Sequence, residues 1–387
     1  MTGATGFTGG HLARALAARG DHVRALVRPG SDPTPVGTDL GIETIHTHSD
    51  AGSDPINSPQ SEPRFRAIYG ESGFASSRSG PLHEGSDPVP AGSDPARRVG
   101  SDPGRIEVVR GDLRDADSLN RAADGVEVVY HIAAIYRQAG LPDDEYRAVN
   151  ASAVRTVIQA AKAGGARRVV HCSTVGVHGD VEHPPANEDA PLRPGDVYQQ
   201  TKLEGELVAR EAARDTGVDL VIARPTGIYG PGDRRLLKLF RGIARRRFVI
   251  LGDGRIFYHL TYIDDLIEGF RLCATAPSAA GRTYILAGGE VTTLNELTRL
   301  IADEAHVPPP RLHLPVWPFW AAGALCEAFC APLGIEPPIY RRRVDFFTKS
   351  RAFDISRARA ELGYAPAITL REGVARTLRW YRANGWL

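Results

Sequence analysis

The sequence predicts an α/β fold, a doubly wound parallel sheet with a smaller C-terminal lobe. Two observations carry that expectation. Short apolar runs alternate with helical patterns on both sides of a long polar interruption, and a glycine-rich turn stands directly ahead of the first helical pattern. Strands that alternate with helices bury both faces of a parallel sheet, which gives the doubly wound arrangement. After about residue 225 the pattern becomes mixed, as a substrate-binding lobe requires.

Residues 2–9 read TGATGFTG and place Gly3, Gly6 and Gly9 at spacing GxxGxxG, with Phe7 and Thr8 in the same turn. Glycines let a backbone turn tightly and approach a pyrophosphate, while a helix N-terminus supplies N–H donors and positive potential. Such a turn normally follows a buried strand, and only Met1 precedes it here. Losing about five core residues, several worth roughly 1.5–3 kcal/mol each, would consume much of a domain's roughly 5–15 kcal/mol margin. The expectation is therefore that the native chain starts upstream of Met1. A helical pattern over residues 10–19 and a strand over 22–28 follow. That strand ends at Arg28, without the acidic residue that usually meets the ribose hydroxyls of NAD. An arginine there suits a 2′-phosphate, so the cofactor expected is NADP or NAD, with NADP preferred.

The tetrapeptide GSDP begins at Gly30, Gly52, Gly85, Gly92 and Gly100, amid Ser, Pro, Gly and charge. Such a segment buries too little apolar surface to offset the entropy of ordering it. Residues 30–104 are expected to form a disordered insertion, which loop-closure entropy tolerates. Beyond it, strands are expected over 106–110, 126–132, 168–173 and 219–223, and helices over 116–123, 144–163 and 197–216. A last helix is expected over 370–381, with Ser356 capping the helix before it. The domains expected are a Rossmann-type dinucleotide-binding part (1–29 and 105–225), the insertion (30–104) and mainly a substrate lobe (226–387) with segments returning to the Rossmann core.

Tyr198 and Lys202 lie one helical turn apart in YQQTK, and Ser173 and Thr174 end a strand where small hydroxyls can face a cleft. A tyrosine titrates near 10, and a neighbouring lysine cation and an oxidised nicotinamide both favour its phenolate. It then accepts a proton from a substrate alcohol as hydride leaves. The ordered set TGxxGxxG, Asp112-Leu113, Ala133-Ala134, Ser173-Thr174, YxxxK and Arg224-Pro225 resembles the extended short-chain dehydrogenase/reductase family, also called the NAD-dependent epimerase/dehydratase family. The resemblance spans nearly the whole chain outside the insertion. It implies that Gly3, Gly6 and Gly9 cradle the pyrophosphate and that Asp112 and Leu113 contact the adenine. Ala133 and Ala134 would line the dinucleotide cleft, with Ser173 beside it, while Pro225 to Ile228 would pass the nicotinamide. Thr174, Tyr198 and Lys202 would be catalytic, Thr174 bonding the reacting oxygen and Lys202 holding the nicotinamide ribose.

The family's nucleotide-sugar epimerases commonly grip a diphosphate with an arginine where this chain has Tyr258; Arg255 stands close by, and Arg341–Arg343 are basic. The run 316–331, with Trp317, Phe319, Trp320 and Leu325, suits an apolar pocket, a membrane surface or a helix packed on the core. The C-terminal region also resembles the 3β-hydroxysteroid dehydrogenase branch. The reading that follows is dehydrogenation or ketone reduction on a small-molecule, apolar or sterol-like alcohol. Nucleotide-sugar epimerisation or dehydration is the second reading, and a non-catalytic NAD(P) sensor the third. A net charge of +1 gives no reason to expect nucleic acid. The four cysteines have no CxxC spacing, so no metal is expected and Cys326 and Cys330 read as packed thiols. No run reaches the roughly 20 apolar residues of a membrane span, so a soluble, cytoplasmic protein is expected, with peripheral membrane contact through 316–331. The family resemblance implies a homodimer.

Overall fold

A computed structural model of the chain describes residues 1–31, 44–46, 104–138, 140–330 and 344–387, and only the backbone of 44–46. These residues belong to one compact unit built from 1–47 and 103–387. The insertion expected over 30–104 lies almost wholly outside the described residues, as does the Arg341–Arg343 cluster.

The glycine turn runs into α1 (Phe7–Ala18), three residues earlier than periodicity predicts. The reason is steric. A Cβ on Gly9 would stand 2.1 Å from the Gly3 carbonyl oxygen, so glycine alone lets the first helical turn lie against the turn it leaves. Gly3 has φ +76°, and a Cβ there would stand 2.7 Å from the Ala133 nitrogen.

Next come β1 (Val23–Val27), β2 (Thr44–His46) and β3 (Ile106–Arg110), parallel and in the order β2-β3-β1. They are followed by α2 (Ala116–Ala123), β4 (Val128–His131), α3 (Asp143–Arg147), α4 (Ala153–Ala163), β5 (Arg168–Cys172), α5 (Val197–Thr216) and β6 (Asp219–Pro225). The helix expected over 144–163 is interrupted by a π-helical turn, Ala148–Ser152, which carries the buried Asn150. All five residues of β5 and six of seven in β6 are buried, as befits strands covered on both faces.

The C-terminal part comprises β7 (Gly227–Tyr229), α6 (Leu237–Ala244), β8 (Ile250–Leu251), β9 (Phe257–Tyr262), α7 (Ile263–Thr275), β10 (Thr283–Leu286), β11 (Val291–Thr293) and α8 (Leu294–Ala305). It continues through β12 (His313–Leu314), α9 (Val316–Cys330), α10 (Asp345–Thr348), α11 (Ser356–Leu362) and α12 (Leu370–Ala383). β10 returns to the main sheet beside β6, giving β4-β5-β6-β10. β7, β9 and β11 form a small sheet, and β8 pairs with β12.

Thr2 joins the two halves of the main sheet. It bridges Leu26 on one side and His131 on the other, both in parallel. Its N–H donates to the Tyr130 carbonyl at 2.9 Å, and the Leu26 N–H donates to the Met1 carbonyl at 2.9 Å. Thr2 thus marks the switch point, with β1 to one side and β4 to the other, and the glycine turn leaves the sheet there. Ligands of open α/β sheets bind in the crevice beyond the strand ends at this point. Helices α2, α4 and α5 pack on one another along one face, while α1 and α7 meet over the other.

One expectation in the C-terminal part is revised, and one of the three alternatives for 316–331 is set aside. Ser356 does not cap α11 but opens it; its N–H donates to Asp354 Oδ1 at 2.8 Å and its hydroxyl to the same oxygen at 2.5 Å. α9 does not pack its large side chains on the core. Trp317, Leu325 and Phe329 are 72%, 72% and 74% exposed, and only Gly323 and Cys330 are buried. No helix among the described residues is long and apolar enough to cross a membrane.

Candidate active site

The crevice begins at the glycine turn. Gly6 occupies the N-cap of α1 with no side-chain capping bond, and the first turn carries no acidic residue. Its N–H donors and positive potential are therefore open to an anion, which fits a dinucleotide diphosphate. Gly6 is exposed, and an added Cβ would meet only the Gly3 oxygen, at 3.3 Å. Gly3 and Gly9 instead permit close packing behind it. Phe7 and Thr8, half-buried, form the first residues of α1.

Around the end of β1 stand three arginines. Arg28 is exposed just beyond the strand. Arg110 Nη1 donates to the Ser31 carbonyl at 2.8 Å and so holds the turn after Arg28. Arg114 grips Asp112 through Nε–Oδ1 (2.9 Å) and Nη2–Oδ2 (3.1 Å). That bond from Arg114 holds the Asp112 carboxyl below its usual range, and Arg28 adds to the effect. Leu113 is half-buried. At the end of β4, the Ala133 N–H donates to Thr2 Oγ1 at 3.2 Å, while Ala134 is exposed.

β5 and α5 bring the hydroxyl, phenol and ammonium to the same end of the sheet. Thr174 caps a short 3₁₀ turn (Val175–His178), its Oγ1 accepting from the Gly176 N–H at 3.0 Å, and is half-buried. Tyr198 lies in the first turn of α5, its ring meeting that of Tyr136 edge-on at 4.9 Å. Part of its surface stays exposed. Lys202, one turn further, is 1% exposed and donates from Nζ to the Cys172 carbonyl at 2.6 Å. Pro225 ends β6 and Ile228 lies in β7, both buried.

The electrostatics differ from expectation in one respect. Burial is the largest influence on the Tyr198 phenol and pushes it above its ordinary value, and the cations that oppose this are Arg137 and Arg235. The lysine expected to act on it is instead tied to the strand carbonyl, and burial holds its own ammonium below the usual lysine range. Ser173 is likewise revised: expected to present its hydroxyl to the cleft, it is buried and donates to Glu206 Oε1 at 2.5 Å.

Several residues of this region were not singled out by sequence reasoning. Glu206 receives Arg224 through Nε–Oε1 (2.9 Å) and Nη2–Oε2 (2.7 Å), and Arg224 Nη1 lies 3.1 Å from His178 Nε2. Asn150 binds both the N–H and the carbonyl of Ile135, at 2.8 and 3.0 Å, and donates to Thr201 Oγ1 at 3.1 Å. Arg235 stacks on Phe7, its guanidinium 5.3 Å from the ring centroid, held by Asp233 Oδ1 and the Ile228 carbonyl. Their signal is spatial rather than sequential.

His131 and His171, opposite one another on β4 and β5, stack at 5.3 Å between ring centroids and are fully buried. His131 Nδ1 meets Thr2 Oγ1 at 2.8 Å, but His131 Nε2 and both His171 nitrogens have no hydrogen-bond partner. Burial, reinforced by Lys202, lowers His131 to about 3 and His171 well below its ordinary 6.5. Only the unfolded chain takes up these protons near pH 6. Their contribution to stability is full above about pH 6.5 and is lost as the pH falls from there towards 3. Between pH 6.5 and 5, His131 alone costs about 2 kcal/mol. Denaturant midpoints are expected to drop over that interval, and His171→Leu to retain more of its stability at pH 5 than the parent. Equal losses in both would refute the assignment to His171.

A glycine turn at a sheet switch point, with a tyrosine and a lysine one helical turn apart beyond it, defines a Rossmann-type fold bearing a short-chain dehydrogenase-like site. The family model for the NAD dependent epimerase/dehydratase family matches residues 79–287, and the chain belongs to that family. A 3beta-hydroxysteroid-dehydrogenase/decarboxylase of Arabidopsis thaliana, isoform 2, is 30% identical over 294 residues, covering 71% of this chain and 52% of the relative. The chain thus spans about half the length of that relative. A 2-alkyl-3-oxoalkanoate reductase of Stenotrophomonas maltophilia is 29% identical over 279 residues, 69% of this chain and 84% of the relative. Among solved structures, a dTDP-glucose 4,6-dehydratase from Streptomyces venezuelae with NAD and TYD bound superposes with a TM-score of 0.67. It is 24% identical, covering 100% of this chain and 97% of the dehydratase, and is a likeness of fold.

Proposed function

We propose that this chain is an NAD(P)-dependent oxidoreductase that moves a hydride between nicotinamide and a secondary alcohol or ketone on an apolar, sterol-like substrate. The observation that supports this reading is that Thr174 follows β5, Lys202 bonds the carbonyl at the end of that strand, and Tyr198 stands one helical turn before Lys202. When bound, the nicotinamide supplies the hydride acceptor or donor. In oxidation, Tyr198 takes the hydroxyl proton while Thr174 holds the same oxygen in place. Lys202, anchored on the Cys172 carbonyl, would hold the ribose. Gly6 and the first N–H groups of α1 would take the diphosphate, with Gly3 and Gly9 permitting the approach. Phe7 and Thr8 would complete that turn, and Asp112 and Leu113 would meet the adenine. Ala133, Ala134, Pro225 and Ile228 would line the nicotinamide side. Residues 1–29 and 105–225 would form the dinucleotide-binding part, and 226–387 mainly the substrate lobe.

The named activities of the Arabidopsis and Stenotrophomonas relatives, a hydroxysteroid dehydrogenase and a ketone reductase, support the alcohol/ketone reading. The second reading, nucleotide-sugar epimerisation or dehydration, rests on the dehydratase likeness. Against it, Tyr258 stands where sugar epimerases place an arginine, and it is buried with its hydroxyl donating to the Phe346 carbonyl. Cofactor accounting separates the two, because an epimerase regenerates its nicotinamide within each cycle and a dehydrogenase consumes it.

The test is a fluorescence titration of the full chain with NADPH and NADH, followed by turnover on sterol-like alcohols. NADPH is expected to bind more tightly. Arg28→Ala should weaken NADPH about tenfold while leaving NADH nearly unchanged, as loss of one charge-assisted contact predicts. Equal weakening of both would remove Arg28 from specificity. Binding without turnover on any alcohol would favour the sensor reading.

A further inference from the structure

α9 (Val316–Cys330) meets the rest of the protein along a narrow line. Gly323 and Cys330 are its buried residues, and at about 100° per residue they fall on one side of the helix. Trp317, Trp320, Leu325 and Phe329 are exposed and spread over about 180° on the opposite side. Glu327 is the one charged residue of the helix. A helix that is apolar nearly all round belongs in a core or against lipid, and large exposed apolar side chains gathered on one face mark an interaction site.

The chain that leads into α9 says what covers it. β12 pairs in parallel with β8, the Ile250 N–H donating to the Leu312 carbonyl at 3.1 Å and the Gly252 N–H to the Leu314 carbonyl at 2.8 Å. This ribbon runs directly onto the helix, since a Cβ on Gly252 would stand 3.3 Å from Val316 Cγ2. Its other end is basic. Arg245, Arg246 and Arg247 enter β8, and Arg311 enters β12 beside the exposed Leu312. All four arginines are exposed, and among the described residues their side chains have no ion pair. Arg246 stands at φ +56° after the C-cap of α6, where glycine is usual, yet the position carries a cation. Residues 245–252 and 306–326 contain no Asp or Glu. The acids that bound these stretches are Asp253, beside the exposed Arg255, and Glu327. Apolar helix and cationic ribbon thus form one surface whose complement is apolar and anionic together.

We propose that α9 and the β8–β12 ribbon dock on a bilayer surface containing anionic lipid, with α9 lying in the interface. At about 22 Å the helix is shorter than a hydrocarbon core of about 30 Å, so it rests in the bilayer without crossing it. Trp317 and Trp320 stand at the end joined to the ribbon, and tryptophan favours the headgroup level. Leu325 and Phe329 reach the acyl chains. An interfacial helix usually carries its own basic face; here the cations that meet lipid phosphates come from the ribbon instead. A second copy of the chain fits this surface poorly, because a two-fold interface brings the same patch from both sides, and its cationic flank finds no acidic complement there. The proposal stands whether or not Tyr198 is the acid/base.

The experiment is co-sedimentation of the full chain with vesicles of phosphatidylcholine alone and of phosphatidylcholine mixed with phosphatidylglycerol. The mixed vesicles are expected to bind roughly tenfold or more tightly, as several arginines near an anionic surface predict, and added salt should weaken that binding. Tryptophan emission should shift to the blue on binding, and Trp317→Phe with Trp320→Phe should remove most of the shift. Leu325→Glu with Phe329→Glu should abolish binding to both vesicles. Replacing Arg245, Arg246 and Arg247 by Gln should bring the mixed vesicles close to the level of phosphatidylcholine. All three sets change exposed side chains, so Tm and NADPH affinity should stay at the parent values, which separates lost docking from lost folding. A folded parent that ignores mixed vesicles would overturn the proposal, as would equal binding to both kinds. A lipid-free dimer in sedimentation equilibrium, split by Leu325→Glu with Phe329→Glu, would assign the face to a second copy and overturn it too.

Discussion

Tyr198→Phe is expected to lower turnover by roughly 10²–10⁴-fold, the usual contribution of a positioned acid/base, while leaving cofactor affinity close to the parent value. The substitution removes one oxygen and keeps the ring, so the edge-on contact with Tyr136 and the Arg137 guanidinium over the ring face survive. The pH profile adds a sign. Alcohol oxidation needs the phenolate and burial raises the phenol above its ordinary value, so kcat/KM for oxidation should climb as the pH rises. Ketone reduction needs the phenol and should fall over the same alkaline range. Arg137 and Arg235 oppose the effect of burial, so Arg235→Met should move the oxidation limb to higher pH. Stopped-flow single turnover with saturating cofactor isolates the chemical step. Unchanged single-turnover rates in Tyr198→Phe would discard the assignment of the acid/base.

What the sequence made legible divides along physical lines. Where local signals agree with burial, the expected boundaries coincide with the structure. β3 and α2 end where periodicity places them, and α5 runs over the expected 197–216 because Asp196 caps its start and Gly217, at φ +68°, ends it. Discrepancies arise where a distant contact decides. α1 starts at Phe7 because Gly9 packs on Gly3, and the helix expected over 144–163 opens into a π turn where Asn150 is buried against the loop after β4. At the site, the glycine turn and the YxxxK pair lie within single segments and were readable. The charges around them were not. Arg137, Arg235 and the start of α5 with Asp196 and Tyr198 come from separate stretches of chain, and neither their approach nor the turning of Ser173 towards Glu206 leaves a spacing signature. Family resemblance supplied roles at matching positions and gave no information on which cations face the phenol.

Arg224→Leu is expected to destabilise the fold by about 3–5 kcal/mol, because it leaves the buried Glu206 carboxylate only the Ser173 hydroxyl and a 3.9 Å ion pair with Arg210. Glu206 is 1% exposed and Arg224 3%, and both Glu206 oxygens accept from Arg224. The pair joins α5 to β6 across the end of β5, where Ser173 completes the carboxylate's bonding. Arg224 also reaches the Glu188 carbonyl and His178, so its loss takes one guanidinium from three polar groups. Desolvation makes the pair itself a weak source of net stability, yet makes either half alone costly. The two variants should therefore behave very differently. Arg224→Leu alone should lower Tm by roughly 10 °C. Adding Glu206→Leu should recover much of that loss, since it removes the stranded charge. The recovery should be incomplete, because the Ser173 hydroxyl and the Glu188 carbonyl stay without a partner. Additive losses in the double variant would mean that the two residues do not act as a pair. The catalytic consequence follows from chain connectivity. Ser173 immediately precedes Thr174, so a slack network loosens the residue proposed to hold the reacting oxygen, and the double variant should regain Tm without regaining the full rate of the chemical step.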